Sequence, residues 1–203
     1  MIDQRLYEEF RTIGRDIFVA GLTSSHGGNM SVRVGDKIII KRRGAQFGRL
    51  KRSDFVETSF EGKDSGIVRA STELIVHRAI YEQTSALAII HAHPRTAITL
   101  SLSRDDIIPI DNEGSYLLRK IPVVSVEMAS GSQEMATKVS EALRGYKIVM
   151  QRGHGAFSTG QTLDEAFQWI SALEEASDII LENHLMGEER IEFRKHSEAY
   201  STW

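Results

Sequence analysis

The feature that most constrains the fold is a five-residue apolar run, Ala86-Leu87-Ala88-Ile89-Ile90, leading into His91-Ala92-His93-Pro94. A run this short and this apolar reads as a buried strand. Pro94 then opens a helix to about Leu102, because proline is at home in a first helical turn. The surrounding sequence alternates in the same way. Ser71 or Thr72 can cap a helix to about Tyr81, with Glu73 in its first turn, where the helix dipole favours a carboxylate. Residues 121–126 read as a strand, Gln133–Leu143 as a helix, and 147–150 as a strand running into Arg152-Gly153-His154-Gly155. The longest helix covers about 163–185, with Phe167, Ile170, Leu173, Ile180 and Leu181 toward the core. Upstream, Leu6, Phe10, Ile13 and Ile17 make an amphipathic stripe on a helix that stops near Gly21. Residues 30–34 and Lys37–Lys41 form a β-hairpin about Gly35-Asp36, a two-residue turn that needs positive φ. A basic loop, Lys41-Arg42-Arg43-Gly44, and a short strand near Phe55–Ser59 follow. One sheet with helices packed on its faces accommodates all of this. No linker or repeat divides the 203 residues, so we expect one domain over 1–203, with the mostly polar 186–203 as a loose helix or flexible tail.

Composition narrows the function. The chain is 41% hydrophobic and 26% charged, which suits an ordinary globular protein. Twenty-five Lys and Arg against 28 Asp and Glu leave a net charge of −3, so nothing draws the whole chain to nucleic acid or an anionic membrane. The start lacks the basic-then-apolar pattern of a secretory signal, and no apolar run is long enough to span a bilayer. A cytoplasmic protein is expected. With no cysteine, disulfides, thiolate catalysis and thiolate zinc sites are excluded, and any metal must be held by His, Asp or Glu.

The histidines fall where such a site can form. Side chains two apart on a strand share a face, so His91 and His93 can reach one ion. His154 ends a second apolar strand between two glycines that let the backbone approach closely and aim the ring. Three neutral imidazoles with an open position match a catalytic zinc site, whereas structural zinc is closed by four protein ligands. Taken singly, the His-x-His pair can be a surface coincidence, and His154 can serve a neighbouring loop through a hydrogen bond. His26, His77, His184 and His196 read as ordinary surface or capping histidines.

In order and spacing these pieces resemble the class II aldolase/adducin family, in its fuculose-phosphate aldolase branch. Gly28-Asn29-Met30-Ser31-Val32-Arg33 resembles its G-N-x-S-x-R segment, and Gly44 the glycine closing its phosphate loop. Ser71-Thr72-Glu73 with His77 resembles S-S/T-E-x-x-x-H. Ile90-His91-Ala92-His93-Pro94 resembles V-H-x-H-S/P, and His154-Gly155 the later H-G. The resemblance implies a three-layer αβα fold around a mainly antiparallel sheet, assembled as a homotetrameric ring with active sites between subunits. It also implies zinc, or another divalent metal, on His91, His93 and His154, with Glu73 near enough to be a fourth ligand. Gly28, Asn29, Gly44, Ser71 and Thr72 would then line a pocket for the phosphate of a phosphorylated sugar or related anion, a role that suits hydroxyls and N–H groups at a helix start. The reaction implied is retro-aldol cleavage, with zinc as the Lewis acid for an enediolate and Glu73 shuttling the proton. Lys37, Lys41, Lys51, Lys63, Lys120, Lys138 and Lys147 read as lying in polar or turn settings, which sets a Schiff-base route aside.

Two departures from that pattern stand out. Lys41-Arg42-Arg43 replaces the family's Thr-Pro-Thr/Ser before Gly44, and Asp111-Asn112-Glu113-Gly114 stands where those aldolases carry an inter-subunit tyrosine. Lys41 and Arg43 should point together and Arg42 away. Arg43 is therefore the candidate contact for a substrate anion, and Glu113 a candidate contribution from a neighbouring subunit. Same-fold relatives include metal-dependent epimerases, dehydratases and decarboxylases. The adducin head domains keep the fold for assembly, a role that has no use for an open metal site.

Overall fold

The computed structural model describes residues 2–62, 64–128 and 130–187. Lys63, His196 and the expected tail from residue 188 lie outside them. In chain order the elements are α1 (Gln4–Val19), β1 (Asn29–Val34), β2 (Lys37–Lys41), β3 (Phe55–Ser59), α2 (Leu74–Gln83), β4 (Ala88–Ala92), α3 (Arg95–Ser101), β5 (Asp106–Ile107), α4 (Asn112–Leu118), β6 (Ile121–Val124), α5 (Gln133–Leu143), β7 (Ile148–Gln151), β8 (Gly155–Gly160) and α6 (Leu163–Met186). The strands make one eight-stranded sheet in the order β3-β2-β1-β4-β8-β7-β6-β5. Its pairings are antiparallel except β6 with β7.

Period-two alternation builds two cores, one on each face of this sheet. Ile39, Ala88, Ile90, Ala92, Ile148, Met150 and Ala156 share a buried cluster with residues of α1, α3, α4 and α6. Their strand neighbours Ile38, Ile40, Ile89, Val149 and Phe157 join Leu74, Val76 and Ile80 of α2 and Met135, Val139 and Leu143 of α5. Helices therefore cover both faces, giving the three-layer αβα arrangement around a mainly antiparallel sheet. Among the described residues no helix is long and apolar enough to cross a membrane.

Most expected elements form, and the differences have local causes. Strand β6 stops at Val124 rather than residue 126, because its parallel partner β7 ends at Gln151, opposite Val124. Pro94 sits at the cap before α3 rather than inside its first turn. On α6 the inward stripe runs through Leu163, Ala166, Trp169, Ile170, Leu173, Ala176 and Ile180. Phe167 and Leu181 each lie one step beyond it and are only half-buried, since every helical residue turns the side chain by about 100°. Short 3-10 turns at Phe47–Arg49, Arg52–Asp54 and Ser65–Val68 were not expected, nor were three of the strands and helices above. Strand β8 occupies the middle of the sheet, yet Gly155-Ala156-Phe157-Ser158-Thr159-Gly160 is too small and polar to read as a buried run. Its Ser158 is satisfied inside, donating to the Ala166 carbonyl at 2.7 Å. Helix α4 turns Gly114, Ser115 and Leu118 inward, too few apolar residues to read as a stripe, and starts from Asp111, whose side chain accepts from Gly114 N–H at 2.6 Å. Strand β5 is two residues long.

Candidate metal centre and active site

The site stands at one end of the central strands. His91 lies in β4 opposite Asn29 of β1 and Phe157 of β8. Its ring stacks on Phe157, with centroids 4.1 Å apart and planes at 15°. His93 follows on the same side, its backbone held to the Leu22 carbonyl at 2.8 Å. His154 projects from the turn joining β7 to β8, where its own N–H closes onto the Gln151 carbonyl at 3.1 Å. The Nε2 atoms of His91 and His93 are 3.0 Å apart. One nitrogen from each of the three rings falls within 4.8 Å of the other two.

Neighbouring acceptors set the tautomers. His91 Nδ1 lies 3.0 Å from the Ala156 carbonyl and His154 Nδ1 lies 2.8 Å from Gln151 Oε1. Each Nδ1–H donates to its oxygen, which leaves the Nε2 lone pairs facing the cleft. Protonation is suppressed as well. Burial lowers His91 well below the usual imidazole value, helped by the charges of its two neighbours. Burial and the charge of His154 bring His93 down to about 4, and burial lowers His154 too. Three neutral imidazoles with converging lone pairs and a carboxylate beside them fit a divalent metal such as zinc, so the triad can hold an ion.

Glycine makes the convergence sterically feasible. A Cβ on Gly155 would sit 2.5 Å from the Ala92 carbonyl, 2.6 Å from His93 Cδ2 and 2.8 Å from His91 Cε1. A Cβ on Gly28, which has φ +69°, would meet the His91 carbonyl at 2.5 Å. Only hydrogen fits at either place.

Glu73 stands beside the triad, one residue before α2 rather than in its first turn. Neither Ser71 nor Thr72 caps α2 as expected. Glu73 itself is the residue before the helix, at φ −90° and ψ 11°, a bridge-region conformation common among active-site residues. Its N–H is met by Ser71 Oγ at 3.3 Å, and its side chain turns away from the helix. Oε2 accepts from Asn29 Nδ2 at 2.6 Å and lies 3.4 Å from His91 Nε2. Oε1 is 3.9 Å from His154 Nε2. Burial pushes the carboxyl up to about 7, against the opposing pull of the Asn29 hydrogen bond and the Lys41 charge.

These groups open into a cleft of about 180 Å³. Gly28, Asn29, Arg43, Gly44, Ser71 and Thr72 all border it. Asn29 Oδ1 is buried in the cleft wall without a hydrogen-bond partner among the described residues. Glu113 is elsewhere: it lines a roomier groove of about 740 Å³ between α4 and α6.

Two expectations are corrected by burial. Lys41 is not in a polar or turn setting but 2% exposed at the end of β2. Its ammonium donates to the Ala45 carbonyl at 2.7 Å and borders the cleft. Burial, reinforced by the Arg42 charge, lowers it to about 8. Arg42 also borders the cleft, but its guanidinium is held by Asp54 at 2.7–2.8 Å. His77, read as a surface or capping residue, is fully buried. It lies on the inward face of α2 with Leu74, Ile80 and Tyr81, a periodicity that could have placed it. His26 and Ser130 also line the cleft and were not foreseen there; Ser130 sits in a loop whose sequence carries no such signal.

Comparison with known proteins agrees with this geometry. The profile of the class II aldolase and adducin N-terminal domain matches residues 8–181. An L-fuculose phosphate aldolase of Methanocaldococcus jannaschii is 29% identical over 182 residues, covering 88% of this chain and 97% of that protein. A 3-oxo-tetronate 4-phosphate decarboxylase of Haemophilus influenzae is 27% identical over 186 residues, 88% of each. The crystal structure of L-fuculose-1-phosphate aldolase from Thermus thermophilus superposes with a TM-score of 0.87 at 39% identity, covering 91% of this chain and 97% of that one.

Proposed function

Because the chain belongs to the class II aldolase and adducin family, we propose that it is a zinc-dependent aldolase cleaving a phosphorylated ketose by a retro-aldol reaction. The observation that carries this reading is the approach of Glu73 to within 3.4 Å of His91 and 3.9 Å of His154, inside a histidine triad able to hold a metal. His91, His93 and His154 would hold the ion, with Glu73 as a fourth ligand at rest. When bound, the metal supplies Lewis-acid stabilisation of the negative charge that develops on the ketose oxygens.

The remaining work falls to the chain's own groups. Burial raises the Glu73 carboxyl in the metal-free protein, and a carboxyl that holds its proton more readily than usual suits a group that returns a proton to the carbon released by bond cleavage. Asn29 fixes the Oε2 atom through its 2.6 Å hydrogen bond, leaving Oε1 free to turn toward substrate. Gly28, Asn29, Gly44, Ser71 and Thr72 offer the substrate phosphate N–H and hydroxyl donors. Arg43 would add a charge-assisted contact. The reading includes a cytoplasmic homotetramer, with Glu113 reaching the site of a neighbouring subunit.

One observation favours a second reaction. The buried Lys41 ammonium in the same cleft suits a substrate bearing a carboxylate, as in decarboxylation of a 3-oxo sugar-acid phosphate. A Schiff base on Lys41 is less economical, since the triad already offers a place for the developing charge. The test is turnover of ketose 1-phosphates, ketose 5-phosphates and 3-oxo acid phosphates with and without added zinc. Zinc-dependent release of an aldehyde from a ketose phosphate is expected. Carbon dioxide release alone would replace the aldolase by the decarboxylase, and turnover that survives complete metal removal would refute both.

A further inference from the structure

Two motifs leave a residue out of the site: the first gives it Gly28 and Asn29 but not Ser31, the second Ser71, Thr72 and Glu73 but not His77. The structure brings Ser31 and His77 together. His77 Nδ1 lies 2.6 Å from Ser31 Oγ, and Ser31 Oγ lies 2.8 Å from the Tyr81 hydroxyl. The Tyr81 hydroxyl reaches the Leu87 carbonyl at 3.5 Å. All three side chains are at most 2% exposed. The final acceptor is a carbonyl, so a consistent order of donors runs from His77 Nδ1–H to Ser31, from Ser31 O–H to Tyr81, and from Tyr81 O–H to Leu87. This order leaves His77 Nε2 a bare acceptor, in accord with its having no hydrogen-bond partner among the described residues.

This network runs parallel to the Asn29–Glu73 bond. Asn29 and Ser31 are two apart on β1 and face α2, whereas the intervening Met30 faces the opposite core. Glu73 and His77 are four apart at the start of α2, and His77 N–H donates to the Glu73 carbonyl at 3.1 Å. Two strand residues advance about 6.8 Å, and four helical residues about 6 Å. The spacings are commensurate, so both bonds form together only in one register of helix against strand. His77 also meets Phe157 edge-on, with centroids 6.2 Å apart, and Phe157 is the ring stacked on His91.

We propose that Ser31, His77 and Tyr81 form a buried positioning unit that sets the Glu73 carboxylate in register with His91. The proposal deepens the aldolase reading, and its metal-binding arm stands apart from any substrate. His77→Leu and Ser31→Ala should each lower kcat by about 10–100-fold, the usual effect of losing a group that orients a metal-site residue. KM should stay unchanged, and metal affinity should fall over the same range. His77→Asn is the decisive variant, since its amide can place an N–H where Nδ1–H was. It should recover most of the kcat and metal affinity while remaining less thermally stable than wild type, because the smaller side chain leaves a cavity. Nitrogen-15 NMR of the metal-free protein should show His77 carrying its proton on Nδ1.

A kcat and metal affinity in His77→Leu equal to wild type would overturn the proposal. So would His77→Asn being as impaired as His77→Leu, since activity would then simply track stability. If the wild-type protein turns over no ketose phosphate, the aldolase reading fails, and the metal-affinity series with the NMR tautomer still decides this one.

Discussion

Gly155→Ala offers a steric test of the centre that removes no polar group. Gly155 is not in the positive-φ region, so alanine brings no backbone strain. What it brings is one methyl, 2.6 Å from His93 Cδ2 and 2.8 Å from His91 Cε1. To reach an ordinary contact of 3.4 Å the two rings must retreat by 0.8 Å and 0.6 Å. Metal–ligand distances tolerate about 0.2 Å, so the triad can no longer close on one ion without distortion. The Ala92 carbonyl at 2.5 Å is backbone of a central strand and yields little, and overpacking of this kind destabilises by about 1–3 kcal/mol. We expect metal affinity to fall about 100-fold, the upper end for a perturbed metal site, and turnover at least as far, since misplacement by about 1 Å costs on that order. The assay is thermal unfolding with and without zinc. At 100 times its Kd a metal stabilises by about 2.7 kcal/mol, and after a 100-fold loss of affinity by about 0.4 kcal/mol. At about 2–4 °C per kcal/mol for a chain of this size, the zinc-induced rise in Tm should shrink from about 5–11 °C to about 1–2 °C. Gly153→Ala is the control, because it strains a φ of +67° and touches Leu102 but neither His91 nor His93. It should lower stability and keep most of the zinc response. An undiminished zinc response in Gly155→Ala would refute the reasoning.

Glu73→Gln should keep the metal and lose about 10²–10⁴-fold in turnover, the effect of removing a general acid–base group; unchanged kinetics would move the proton transfer to another residue, Glu113 of a neighbouring subunit being next in line. Arg43→Ala should weaken apparent substrate binding by about 10–150-fold, from a charge-assisted bond of about 1.5–3 kcal/mol, while Arg42→Ala, whose partner is Asp54, should act mainly on stability; equal KM values for wild type and Arg43→Ala at low salt would reduce Arg43 to a surface charge. The metal-free protein should lose stability as pH falls from 6.5 toward 4, by denaturant titration. Burial holds His77 near 3 and His93 near 4 when folded, so the unfolded chain protonates first, at about 1.4 kcal/mol per pH unit for each excess proton. Glu73 opposes this, with its folded value near 7 against an ordinary value of 4.5, and so does Glu174, whose carboxyl burial also raises. Both favour the folded state more as pH drops, but they are two carboxyls against four lowered histidines, His77, His91, His93 and His154. A flat profile would contradict the depressed histidines. Light scattering should show a tetramer, and dilution to monomers should abolish turnover; a fully active monomer would exclude sites shared between subunits.

Local periodicity determined much of this protein. The two-residue repeat of a strand puts His91 and His93 on one side of β4 whatever surrounds it. Glycine on both sides of His154 marks a tight turn by the same local logic. Helix α5 was legible to the residue because Ser132 and the apolar spacing of its helix need no distant partner. Proximity between remote segments was decided only by the tertiary structure. Glu73 sits one residue before the helix rather than in its first turn, and its carboxylate is held beside the histidines by Asn29, 44 residues away. Lys41 and His77 are polar, and polarity by itself reads as surface. Each is buried because an acceptor awaits it inside, the Ala45 carbonyl for one and Ser31 for the other. Strand β8, small and polar in sequence, becomes central because β4 and β7 flank it and α6 covers it. The inward face of His77 could be read from its helical spacing with Leu74, Ile80 and Tyr81, but that Ser31, 46 residues away, waits there to satisfy it is decided by the tertiary structure alone.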